Sequence, residues 1–176
     1  MHIRSVRNDD WPKCLALDAS YETEIAWQLQ EQQRAKEWGM YFREVQLPRK
    51  QTLHPPLAPE ELIPVWEKRA SFWVAAERLK VRGYLGLELV LERHAAYLTE
   101  LVVDREQRRQ QLGSALLHHA TGWSLRKGVE QLILAIPLKA QPALAFAQQQ
   151  GFTPCGFQDN YWPGQEAALL FRKYIR

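Results

Sequence analysis

Apolar residues recur along this chain in two rhythms, one of two residues and one of about 3.6, and the switches between them predict the order of its elements. Ile3, Arg4, Ser5 and Val6 read as a short strand, and Asn8, Asp9 and Asp10 offer capping side chains to a helix through Trp11, Leu15 and Leu17. Over residues 21–50 two signals compete. The Gln and Glu content favours helix, whereas Ile25, Trp27 and Leu29 alternate as a half-buried strand does, and the alternation argues for strands. Pro48, Pro55, Pro56 and Pro59 fall where no period is sustained, which predicts a surface loop over 47–59, the segment expected to move most. Residues 60–68 favour a helix that Pro64 shortens or breaks.

From Ser71 the rhythm is plain. Apolar runs at 72–79, 84–92 and 95–103, joined by turns at 80–83 and at Arg93-His94, predict an antiparallel meander. Leu112, Leu116, Ala120 and Trp123 then line one face of a helix that Gly128 ends. The unbroken apolar run 132–136 predicts a strand covered on both faces. Pro142 opens a second helix through Leu144 and Phe146, Gly151 and Phe152 close it, and two strands near 152–157 and 167–174 finish the chain. Strands and helices in this order describe an α/β (α+β) chain, and residues 1–176 are expected to form one domain.

Composition narrows the partners. With 46% hydrophobic and 24% charged residues the chain folds rather than staying disordered. A net charge of +3, with its densest basic cluster at Arg105, Arg108 and Arg109, is too weak for a nucleic-acid surface but suits one compact anion. Cys14 and Cys155 form no Cys-x-x-Cys pair, and the adjacent His118 and His119 diverge by about 100° on a helix, so no metal site is expected. There is no apolar leader, and no run approaches the roughly 18 apolar residues of a membrane span, so a cytoplasmic protein without a membrane partner is expected.

The stretch from Leu101, Val102 and Val103 through Asp104, Arg105, Glu106, Gln107, Arg108, Arg109, Gln110 and Gln111 to Leu112, Gly113, Ser114 and Ala115 orders a strand, a basic turn and a helix that begins with small residues. Unpaired N–H groups and the dipole of a helix start bind anions, and arginine adds charge-assisted bonds. Here the sequence resembles the acetyl-CoA signature of the GNAT-type N-acetyltransferases, Q/R-x-x-G-x-G/A, with Arg108 first and Gly113 last. Gln111 stands where the first glycine is usual, which a regular helix start without positive φ would tolerate. The apolar strand, helix and Gly151-Phe152 pair that follow also match. Val45 to Arg49 and Cys155 to Trp162 look similar to a streptothricin-acetyltransferase-like branch.

The resemblance implies a GNAT fold, a mostly antiparallel sheet flanked by helices and split between the strand at 98–103 and the strand at 132–136. Acetyl-CoA would lie in the split as cosubstrate, held by Leu101, Val102, Val103, Arg108, Arg109, Gln110, Gln111, Leu112, Gly113, Ser114, Ala115 and Phe146, with no metal. An N–H of the strand would polarise the thioester and an amine would attack it directly. Glu100 is the candidate base, against a plain role as a solvated strand residue, and alternation sends Tyr97 and Thr99 to the other face. Many relatives carry an acidic tyrosine just before the Gly-Phe pair. Ala147 stands there, which leaves Tyr161 as the candidate acid, against a role as a packed turn aromatic. Trp27, Trp38 and Trp162 are candidates for a substrate platform. The acceptor expected is a small-molecule amine. The alternatives are a protein lysine or N-terminal amine, or a non-catalytic acyl-CoA sensor, and the chain would act as a monomer or homodimer.

Overall fold

Strand β1 (His2–Ser5) leads into helix α1 (Trp11–Leu15), and a hairpin of β2 (Tyr21–Arg34) and β3 (Glu37–Leu53) follows. Next come helix α2 (Pro59–Trp66) and the meander β4 (Ser71–Glu77), β5 (Lys80–Val90) and β6 (Ala95–Val103). Helix α3 (Leu112–Arg126), strand β7 (Gln131–Pro137), helix α4 (Gln141–Gln149) and the hairpin β8 (Thr153–Trp162) and β9 (Glu166–Tyr174) complete the order. This computed structural model describes residues 1–56, 59–66, 69–162 and 166–176. Seven strands form one sheet in the order β1-β4-β5-β6-β7-β9-β8, while β2 and β3 pair with each other. Within the large sheet β6 and β7 run parallel and the other pairs antiparallel. The mixed, mostly antiparallel sheet flanked by helices is therefore the architecture the resemblance implied.

Alternation along β4 explains why the sheet is covered twice. Phe72 and Val74 join Trp11 and Cys14 of α1, Trp66 of α2, and Val81 and Tyr84 of β5. Trp73 and Ala75 face the other way, into the larger core that Leu112, Leu116, Leu117 and Ala120 of α3 share with Leu144 and Ala147 of α4. Deep burial pushes the Cys14 thiol up to about 12, which leaves it an inert core residue. Among the described residues no helix is long and apolar enough to cross a membrane.

Residues 21–50 are strands, so alternation outweighs the helix propensity of their Gln and Glu side chains. The expected loop over 47–59 is corrected, because β3 continues to Leu53. Pro48 fits there because the β2–β3 register breaks between the pairs Thr23↔Gln51 and Ile25↔Gln46, and a proline needs no ladder partner at such a bulge. Leu57 and Ala58, and Glu67 and Lys68 of the expected helix over 60–68, lie outside the described residues; α2 contains Pro64 and is eight residues long. Helix α1 stops before Leu17. The first meander turn sits at Arg78 and Leu79, with Arg78 at φ 54°, and not at 80–83. Gly83 serves a different need: a Cβ there would lie 2.8 Å from the Val102 carbonyl oxygen, so glycine admits the neighbouring strand.

Candidate acyl-coenzyme A site

The central parallel pair opens partway along. Strands β6 and β7 are paired from Ala95↔Gln131 to Leu98↔Leu134 and no further, although β6 continues to Val103 and β7 to Pro137. The divergence coincides with a bulge: Leu87 pairs with Leu98 but Gly86 pairs with Glu100, so Thr99 is an extra residue that bends β6 away. On its other side β6 stays paired with β5 as far as Val103↔Gly83. Asp104 N–H donates to the Arg82 carbonyl (3.0 Å), and antiparallel pairs alternate between bonded and unbonded. Counting back, the backbone groups of Val102 and Glu100 face β5, and those of Leu101 and Val103 face the split. Of the three expected strand contacts, Val102 is thus the one whose amide is turned away.

Beyond Val103 the chain passes through Arg108 into α3. Two residues of this loop, Arg109 (φ 64°) and Gln111 (φ 61°), take left-handed backbone. The expectation of a regular helix start at Gln111 is therefore corrected, and the usual glycine of the signature has a physical reason, since a side chain in this region costs about 1–2 kcal/mol. Gln111→Gly should leave the fold intact and raise the midpoint of urea unfolding by an amount worth up to about 1 kcal/mol, the relief being partly offset by a freer unfolded chain. Equilibrium denaturation checks this.

The Arg108 side chain is held by the fold. Its guanidinium donates Nε to the Val103 carbonyl (3.0 Å), Nη1 to Ser20 (2.6 Å) and Nη2 to Asp18 (3.1 Å). Its N–H reaches the Arg105 carbonyl at 3.4 Å. Three of the five N–H donors of this signature arginine are thus engaged by the fold. The Gln110 amide donates to the Glu106 carbonyl (3.3 Å), and Ala115 N–H to the Gln111 carbonyl (3.0 Å), so neither of these two donors is free. What remains at the open end of the split is exposed Arg109 and the N–H groups of Leu112, Gly113 and Ser114, for which no acceptor is present among the described residues. Gly113 keeps this turn low. A Cβ there would sit 3.4 Å from the ring of Phe146, so α4 brings Phe146 to the same spot, and Gln150 of the chain after α4 donates to Ser114 Oγ (3.0 Å).

On the α2 face of the sheet the candidate base has company that sequence reasoning missed. Arg69 forks between two carboxylates, Nη1 to Glu88 (2.9 Å) and Nη2 to Glu100 (3.0 Å). Thr99 Oγ1 donates to the other oxygen of Glu100. Glu100 is 8% exposed, so it is no solvated strand residue. Its carboxylate lies over Gly86, where a Cβ would meet both it and the Thr99 hydroxyl. The bulge also overturns the expected alternation, since Thr99 and Glu100 touch. No local pattern marks Arg69 or Glu88; the register Gly86↔Glu100 and Glu88↔Tyr97 assembles them.

Tyr161, the candidate acid, is 37% exposed, with its ring edge against Trp162 at 4.6 Å. Partial burial raises its pKa, with smaller electrostatic contributions from Tyr97, Arg69 and Glu88. Ala147 is buried in the core, and a proton donor is absent there. Trp27 donates Nε1 to Gln141 Oε1 (2.9 Å) and so secures the hairpin, which argues against a platform role; the Trp38 side chain lies outside the described residues.

The chain was compared with known proteins. At 31% identity over 94 residues it resembles the [ribosomal protein bS18]-alanine N-acetyltransferase of Escherichia coli (strain K12), a match that spans 52% of this chain and 62% of that protein's length. In three dimensions it resembles a nourseothricin acetyltransferase (TM-score 0.84, 21% identity, 99% of this chain and 98% of that one). It is also similar to a candidate streptothricin acetyltransferase of Bacillus anthracis str. Ames in complex with acetyl coenzyme A (TM-score 0.75, 17% identity, 99% and 97%). At these identities both structures speak to the fold. A sequence model of the acetyltransferase (GNAT) family matches residues 40–152, more than half of the chain and the whole of the split and its helix start. The protein belongs to the acetyltransferase (GNAT) family.

Proposed function

We propose that the protein is an acetyl-CoA-dependent N-acetyltransferase whose acceptor is the primary amine of a small molecule. The observation that carries this reading is the divergence of β6 from β7 after Leu98 and Leu134, with the unengaged amides of Leu112, Gly113 and Ser114 at its open end. Those amides and Arg109 fit a pyrophosphate, and Leu101, whose backbone faces the split, fits a thioester carbonyl. The amine nitrogen attacks the carbonyl carbon, the C–N bond forms and the C–S bond breaks. Glu100 takes the proton of the amine and Tyr161 supplies one to the departing thiolate. A small acceptor is favoured because the β2–β3 hairpin is bonded across the mouth of the split, through Trp27 N–H to the Leu138 carbonyl (2.9 Å) on one rim and Arg105 Nη2 to Glu22 (2.8 Å) on the other. A second reading, a protein N-terminal amine, draws on the identity to the alanine N-acetyltransferase.

Incubation with acetyl-CoA and a panel of small amines, with an alanine-terminated peptide alongside, separates the readings by free-thiol release. Release with small amines supports the first reading and release with the peptide alone the second. Bound CoA with no release from any acceptor overturns both and leaves a sensor. Glu100→Gln should lower kcat/KM about 10²-fold, the lower end of the range for a positioned base, since Arg69 and Thr99 also orient the amide; calorimetric CoA affinity should not change.

A further inference from the structure

The bonds of Arg108 join two parts of the chain far apart in sequence. Besides its bonds to the Asp18 and Ser20 carbonyls, Arg105 N–H donates to Asp18 O (3.1 Å) and Arg105 Nη2 to Glu22 (2.8 Å). The start of β2 is thereby fastened to the loop that leads into α3. Six residues after Tyr21, Trp27 is fastened to Leu138 and Gln141 at the start of α4. The stretch from Tyr21 to Trp27, about 20 Å of extended chain, therefore runs from the β6 rim of the split to the β7 rim. Its Tyr21 and Trp27 pack on the same core as Leu101, Val103 and Phe146. The guanidinium is the central rivet on the β6 side, since one planar fork serves three carbonyls, of which Val103 belongs to the split and Asp18 and Ser20 to the strap.

We infer that Arg108 is a positioning residue that locks the 18–27 strap to the cofactor loop, so that filling the helix start with coenzyme A orders the acceptor-side wall. This rests on the acetyl-CoA reading above, and the role comes through backbone carbonyls and not through contact with either substrate. A merely structural arginine would stabilise the fold without linking the two regions; a phosphate ligand would be replaceable by another cation. Lysine distinguishes these cases, for it keeps the charge but is a point donor that cannot reproduce the fork.

The test is hydrogen exchange of the whole chain, with and without CoA, in wild type, Arg108→Lys and Arg108→Gln, alongside calorimetric CoA affinity. In wild type CoA should protect both the first turn of α3 and residues 18–27. In both variants it should still protect the first turn, but lose its protection of 18–27 and bind about 5- to 150-fold more weakly, the usual size of coupling between sites. Without CoA, both variants should exchange 18–27 faster than wild type. Lysine restoring wild-type affinity, or CoA protecting 18–27 equally in all three proteins, overturns the inference; so do equal rates over 18–27 without CoA. Failure of wild type to bind CoA overturns the functional reading instead, and the CoA-free comparison still decides whether Arg108 holds the strap.

Discussion

Gly113→Trp should remove measurable CoA binding while the sheet stays folded. The position is half-buried at the first turn of α3, beside Leu112 and Ser114, and the added Cβ alone would lie 3.4 Å from the Phe146 ring and 3.7 Å from the Val103 methyl. An indole has no room on that side and must turn over the helix start, where it covers the amides of 112–114. A hydrogen bond to a charged group contributes about 1.5–3 kcal/mol, so losing two to a phosphate weakens binding by a factor of roughly 10²–10⁴. The Cβ itself meets both neighbours at ordinary van der Waals distance, which is why the fold should survive. Titration calorimetry reads the affinity and far-UV circular dichroism the fold. Unchanged affinity in a folded Gly113→Trp protein would show that the anion site is elsewhere.

Asp10→Ala should destabilise the fold by about 3 kcal/mol, near the lower end of the cost of breaking a buried ion pair. The Asp10 carboxylate is 1% exposed and accepts from both ends of the Arg4 guanidinium, at 2.9 Å for Nη2, and from Arg7 N–H at 2.9 Å. Removing it leaves Arg4 uncompensated, though Arg4 is 21% exposed and regains some water, which keeps the cost at that end. The hydrogen bond from Arg4 holds the Asp10 carboxyl below the ordinary carboxylate range, against the opposing effect of burial. A depressed folded pKa contributes stability that is present above the unfolded value, about 3.9, and is lost as pH falls through the folded value. Urea midpoints of wild type should therefore drop below about pH 4, and those of Asp10→Ala should lack that part of the decline.

Most of the core was legible because burial leaves periodic marks. The Leu112, Leu116 and Ala120 stripe of α3 and the unbroken run of β7 follow from which faces are covered, and both lie where the sequence pattern placed them. Where alternation and propensity disagreed over β2 and β3, alternation predicted the outcome, since a half-buried face outweighs a few tenths of a kcal/mol per residue of intrinsic preference. Breakers were harder to place. Pro48 and Gly83 both read as loop or turn, yet one occupies a bulge and the other a close approach between strands, and each depends on the partner strand.

The candidate site divides in the same way. By itself the sequence determined that a strand, a basic loop and a helix with a small first turn would adjoin, because these are neighbours along one short stretch and their chemistry is local. Only the tertiary structure decided which of the basic side chains the fold engages. Arg108 and Arg109 are adjacent in sequence, but carbonyls some 90 residues earlier claim the first and leave the second exposed. Arg69, Glu88 and Glu100 likewise meet because β5 and β6 pair in one register, with a bulge at Thr99. Periodicity records how much of a side chain is buried, whereas hydrogen-bond partners are set by register and docking, which a one-dimensional pattern does not encode.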